Sequence, residues 1–165
     1  MLSNPEYQLK NIISQTDYKI VLAESCTGGL TSSLITNIPG SSDYFLGGIV
    51  AYSNEVKQNI LGVNKKTLEI YGAVSKETVI EMAVNIRKIF SRIYAEDKII
   101  SASISGIAGP GGATEDKPVG LVWIAISHNN DTKAYKHLWD GNRIDNKILT
   151  AQECIRLIIK EITEF

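Results

Sequence analysis

Three separated stretches of this chain bear the residues that could do chemistry. The first is Ala23-Glu24-Ser25-Cys26-Thr27-Gly28-Gly29, directly after the apolar run Ile20-Val21-Leu22. Ser25 falls where a strand would give way to a turn, Thr27 is placed to cap a following helix, and Gly28 and Gly29 let backbone amides approach a ligand closely. Free N–H groups at a helix start favour a phosphate, a carboxylate or a developing oxyanion. The stretch therefore suits a plain cap, a phosphate cradle or a serine nucleophile. It matches neither G-x-S-x-G nor the glycine-lysine ending of a P-loop. Glu24 is equally open: it could orient a neighbour, face a polar substrate or simply end a strand.

A serine nucleophile needs a proton acceptor. The two histidines, His128 and His137, stand in no constellation that marks a catalytic base or a metal ligand. The second stretch, YSNEVKQNILG, supplies Lys57 near the start of a short helix that follows a strand. Burial would favour its neutral amine and let it take the serine proton; spacing alone fits a solvent-facing lysine better. Beside it, Tyr52 could relay a proton and Glu55 could hold the lysine in place.

The third stretch is SGIAGPGGATEDKPVG, from Ser105 to Gly120. Gly106, Gly109, Gly111 and Gly112 free the chain path while Pro110 and Pro118 restrict it. This pattern suits a ligand-wrapping loop, with Lys117 near a pocket wall. Arg143, after Asp140-Gly141-Asn142, offers a fork that fits phosphate. No C-x-x-C, H-E-x-x-H or GxGxxG is present, so zinc and dinucleotide-binding motifs are missing. Cys26 and Cys154 read as free thiols.

The elements that must position these residues follow from periodicity. A helix opens at Asn4-Pro5-Glu6 with Leu9, Ile12 and Ile13 on one face. Strand 19–23 and a helix over 28–37 follow, then a strand over 47–52, a short helix capped by Ser53 or Asn54, and another over 64–71. A long helix runs from Ser75 to about Tyr94. Strands over 98–105, 119–127 and 135–139 come next, the last two joined across His128 to Asp131, and a helix over 143–162 ends the chain. Alternating helices and strands with a late hairpin predict an α/β fold: a single-domain layered sandwich over residues 1–165, with a mixed sheet flanked by helices.

With 165 residues, 44% of them hydrophobic, and a net charge of -1, the chain is an ordinary globular one without a basic surface for nucleic acid. The opening MLSNPEYQLKNIISQ has no apolar core for a signal peptide, and no run suits a membrane span. The expected location is the cytoplasm, with neither nucleic acid nor membrane as partner.

Together, AESCTGG at 23–29, IPGSSDYFLGGIVAYSNEVKQNILGV at 38–63, YGAVSKETV at 71–79, SGIAGPGGATEDKPVGLVWIAI at 105–126 and DGNR at 140–143 resemble the carboxy-terminal domain family of the competence/damage-inducible protein CinA. The resemblance spans residues 7 to 162. It implies a nicotinamide-nucleotide amidase, which converts nicotinamide mononucleotide to nicotinic acid mononucleotide and ammonia without a metal or redox cofactor. It implies Ser25 as nucleophile, Lys57 as its base and Tyr52 as a proton relay. Thr27, Gly28 and the loop from Gly106 to Gly112, with Gly109 and Gly111 in it, would line the nucleotide site, Arg143 would bind its phosphate, and Glu24 and Ser105 are counted with the substrate-binding residues. A homo-oligomer, such as a dimer, is also implied.

Two positions depart from the family pattern. Ser105 stands where threonine is usual, and GGATED replaces a more glycine-rich segment. The competing expectations are a non-catalytic nucleotide-binding or regulatory module and an unrelated acyl-transfer or peptidase activity.

Overall fold

The computed structural model describes residues 4–164; residues 1–3 of the opening stretch lie outside the described residues. Helix α1 (Pro5–Ile13) leads into β1 (Lys19–Glu24), α2 (Leu30–Thr36), β2 (Phe45–Val50), α3 (Asn54–Asn59), α4 (Lys65–Tyr71) and α5 (Lys76–Phe90). Then come β3 (Ile99–Gly106), β4 (Leu121–His128), β5 (Asp131–Leu138) and α6 (Arg143–Thr163). The sheet order is β2-β1-β3-β4-β5. Strand β1 pairs in parallel with β2 and β3, while β4 is antiparallel to both β3 and β5. The mixed sheet flanked by helices is the expected layered α/β fold.

Alternation along β1 explains why its apolar run is unbroken. Ile20 and Leu22 enter a core with Leu9, Ile13, Ile35, Ile155 and Ile158, whereas Val21 and Ala23 pack on the other face with Met82 and Ile86 of α5. A strand covered on both faces must be apolar at every position. Each fully buried aliphatic side chain contributes about 1.5–3 kcal/mol.

Strand β3 adds a polar device to the same packing. On its α5 side, Ser101 Oγ donates to the Ala83 carbonyl at 2.7 Å, Ser103 Oγ to Val79 at 2.6 Å and Ser105 Oγ to Ala73 at 2.7 Å. These buried hydroxyls are satisfied by main-chain carbonyls, so they carry no desolvation penalty into the core. At the far edge, Lys133 Nζ reaches Glu161 at 2.8 Å and Tyr135 Oη donates to the same carboxylate, tying β5 to α6.

Boundaries moved where tertiary pairing outweighs local pattern. Strand β2 lies two residues earlier than expected, at 45–50, because Ile20 pairs with Phe45 and Val21 with Gly47 across a register irregularity. Strand β5 is longer than the expected 135–139; pairing with β4 extends it back to Asp131, across a turn at Asn129-Asn130 with Asn129 at φ 52°. Helix α2 starts at Leu30 rather than Gly28, because both glycines have positive φ, 62° and 96°.

Candidate active site

The carboxyl ends of β1, β2 and β3 and the start of α6 meet at one end of the sheet. Ser25 begins the turn after β1. Its N–H donates to the Ile104 carbonyl at 3.0 Å, and its carbonyl accepts from Gly28 N–H at 3.0 Å. The residue is thus held by the sheet on one side and by the turn on the other.

Lys57 comes from α3, whose start is fixed by Ser53 Oγ accepting from Val56 N–H at 3.2 Å. Its Nζ lies 2.9 Å from Ser25 Oγ and donates to the carbonyls of Ala51 at 2.9 Å and Tyr52 at 3.3 Å. The side chain is only 1% exposed. The solvent-facing lysine that spacing favoured is overturned, because this cavity offers Nζ three oxygen partners. Burial pulls the amine down from its ordinary 10.5 to about 8, against a small opposite influence from Cys26. A neutral amine keeps two N–H bonds for the two carbonyls, and its lone pair is then free to face the serine hydroxyl. Glu55 plays no part in this: it is exposed at the helix start, where its own backbone N–H, and after it the Ser53 hydroxyl, lower its pKa.

Around the pair lies a cavity of about 290 Å³ whose wall includes Ser25, Tyr52, Lys57, Ser105, Gly106, Gly109, Gly111, Gly112 and Arg143. Arg143 bridges two of its sides, donating from Nη1 to the Gly109 carbonyl at 2.7 Å and from Nη2 to Tyr52 Oη at 2.9 Å. The remaining guanidinium N–H bonds are available to a ligand. The Tyr52 phenol is therefore engaged by Arg143, and what Tyr52 gives Lys57 is its main-chain carbonyl. Ser105 lines the cavity, but its hydroxyl is spent on Ala73 and so fixes the facing wall. At Gly109, φ is 93° and an added Cβ would lie 2.5 Å from Val119 Cγ1, so the loop passes where only glycine fits.

Three expected substrate-binding residues are placed elsewhere. Glu24 is buried and points at the start of α2, where its carboxylate accepts from the N–H groups of Gly29 and Thr31 at 3.1 Å and of Ser32 at 2.8 Å, and from Ser32 Oγ at 2.7 Å. It performs the capping that Thr27 was expected to perform. The N-cap position itself is Gly29, which has no side chain to cap with. Thr27 is buried with its hydroxyl unpaired among the described residues, and neither it nor exposed Gly28 lines the cavity. Lys117 also lies off this wall, donating to the Tyr71 carbonyl.

Cys26 borders the cavity from within the core, and burial pushes its thiol up to about 12. It stays protonated at neutral pH and acts as an apolar group. His128 Nε2 lies 3.1 Å from the Asp97 carbonyl, and the His137 ring stacks on Trp139; neither lines the cavity. Among the described residues no group of three or more His, Cys, Asp or Glu could hold a metal ion.

The model of the CinA C-terminal domain matches residues 3–162. The chain belongs to the CinA C-terminal domain family. A CinA-like protein of Amoebophilus asiaticus is 45% identical over 157 residues, covering 95% of this chain and 36% of that protein. A CinA-like protein of Thermotoga maritima is 46% identical over 143 residues, covering 86% and 34%. The chain thus spans about a third of the length of the curated relatives it matches.

Solved CinA-type structures superpose along nearly the whole chain. The competence or damage-inducible protein of Enterobacter asburiae aligns with a TM-score of 0.88 and 31% identity, covering 96% of each chain. The competence/damage-inducible protein CihA of Agrobacterium tumefaciens aligns at 0.85 with 32% identity, covering 96% of this chain and 95% of that one.

Asn54, Ala73 and Val74 also line the cavity and were missed in the sequence, while Ile107 and Ala108 lie within the loop from Gly106 to Gly112 that was expected there. Asn146 was missed as well: it is buried on α6, and its Nδ2 donates to the Ala108 carbonyl at 3.0 Å. Its signal was present, since it lies three positions after Arg143, the spacing that puts two helical side chains on one face.

Proposed function

We infer that the protein is an amidohydrolase that cleaves the carboxamide of nicotinamide mononucleotide, giving nicotinic acid mononucleotide and ammonia. The observation that carries this reading is the 2.9 Å approach of buried Lys57 Nζ to Ser25 Oγ. In the proposed reaction, neutral Lys57 takes the Ser25 proton as Oγ bonds to the carboxamide carbon. Backbone N–H groups beside Ser25 stabilise the resulting oxyanion. Collapse breaks the carbon–nitrogen bond, and the proton held on Lys57 leaves with ammonia. Water, deprotonated by the same amine, then attacks the acyl-serine ester; the ester bond to Oγ breaks, Lys57 returns the proton to Ser25 Oγ, and the acid is released. Arg143 holds the phosphate at the cavity mouth.

The test is ammonia release from nicotinamide mononucleotide, with the acid product identified. Ser25→Ala and Lys57→Ala should each lose at least about a thousandfold in turnover while keeping wild-type circular dichroism. Undiminished turnover in Ser25→Ala would overturn the covalent route. Tight nucleotide binding without turnover in the wild type would leave a binding module in its place.

A further inference from the structure

Helix α6 grips the glycine loop at two consecutive carbonyls. Arg143 takes that of Gly109 at 2.7 Å, and Asn146, one turn further on, takes that of Ala108 at 3.0 Å. Asn146 is 1% exposed and lies outside the cavity wall, so it reaches the loop from behind. Close approach is built in: an added Cβ on Gly141 would lie 3.0 Å from Asn146 Oδ1 and 2.9 Å from Asp145 Cβ. The helix turn carrying Asn146 is itself fastened, since its main-chain carbonyl accepts from Thr150 Oγ1 at 2.6 Å, and Thr150 Oγ1 accepts from Trp139 Nε1 at 2.9 Å.

In a trans peptide the carbonyl and the N–H point in opposite directions. Fixing the Ala108 carbonyl toward α6 therefore turns the Gly109 N–H away from α6. Gly109 is buried and lines the cavity, yet among the described residues its N–H has no acceptor. Buried main-chain donors are almost always paired, so this one is kept for an oxygen that arrives with the ligand.

We propose that Asn146 is a positioning residue, which presents the Gly109 N–H to an oxygen atom of the bound nucleotide. The proposal rests on the nucleotide reading of the cavity and deepens it. Asn146 touches no reacting atom; it acts through the Ala108–Gly109 peptide. Its own Oδ1 is buried and unpaired among the described residues, so the side chain is held here for its donor.

The test compares wild type with Asn146→Asp and Asn146→Leu, in steady-state turnover of nicotinamide mononucleotide and in amide hydrogen exchange without substrate. An ionised aspartate lacks the donor, and protonation restores it. The expected result is a KM raised roughly three- to tenfold with kcat within about twofold. The Asp variant should recover toward wild type as pH falls, and the Leu variant should not. Exchange should quicken across residues 106–112, while the sheet and the middle of α6 keep their protection. Unchanged KM and loop exchange, or an exchange increase spread evenly over the molecule, would overturn the proposal. Should the wild type show no turnover, the amidase reading fails by itself, and loop exchange alone then decides the role of Asn146.

Discussion

In the proposed reaction Ser25 and Lys57 work as a pair, because Ser25, only 7% exposed, still borders the cavity and Lys57 is too deeply buried to keep its charge cheaply. A lysine whose folded pKa lies below 10.5 binds fewer protons in the fold than in the unfolded chain. The cost to stability is complete below about pH 8 and is relieved as pH rises toward 10.5. Relative to a Lys57→Met variant, the wild type should gain roughly 2–3 kcal/mol between pH 7 and pH 10.5, measured by urea unfolding at each pH. In the proposed amidase, kcat/KM should rise about tenfold per pH unit below pH 8 and level above it. Lys57→Arg, whose guanidinium holds its proton, should abolish the rate; an unaltered acid limb in that variant would exclude Lys57 as the base.

The turn after β1 shows how an element is built around such a pair. Glu24 leaves the strand end and satisfies three amides at the start of α2, holding the helix against the turn that carries Ser25. Glu24→Ala should cost about 2–4 kcal/mol, as several N–H groups lose their acceptor in a partly dry site. Thermal unfolding measures the cost, and KM should be unchanged at temperatures where the variant is folded. A raised KM with intact stability would return Glu24 to the ligand. The sequence made the elements legible because covered strands and amphipathic helices leave strong periods: Val79, Met82, Ala83 and Ile86 of α5 are all buried, as their spacing required. It left Glu24 ambiguous and Thr27 misassigned, because a cap supplied from a preceding strand end has no fixed offset, unlike Ser75, which caps Thr78 N–H three residues on. Asn54, Val74 and Ala73 could not be found for a related reason: they reach the cavity through chain geometry, and their chemistry is unremarkable in one dimension.

At the scale of the whole molecule, the site exists only when distant parts of the chain are assembled. Ser25 and Lys57 are 32 residues apart, and Arg143 meets Tyr52 across 91. Such contacts form only with the complete sheet, so labelling of Ser25 by a fluorophosphonate should fall at the same urea concentration as ellipticity. Loss of labelling well before the main transition would show a site that opens separately. The family was legible because long motifs kept their order along the chain. The orientation of side chains around the cavity was not, since whether Lys57 faces water or serine depends on how α3 is rotated against β1 and β2.

The three hydroxyls of β3 have a mechanical consequence for that assembly. As the strand advances from Ser101 to Ser103, its partner on α5 steps back from Ala83 to Val79. Two strand residues cover about 6.7 Å and four helical residues about 6 Å, so the two scales engage like a vernier. Helix and sheet cannot creep past one another by a fraction of this length without unseating every rung, and the next matching setting lies a full notch away. The final rung, Ser105 on Ala73, carries that detent to the cavity rim. The distance between the two rims is therefore clicked into place by the strand and does not drift with the side chains that face it.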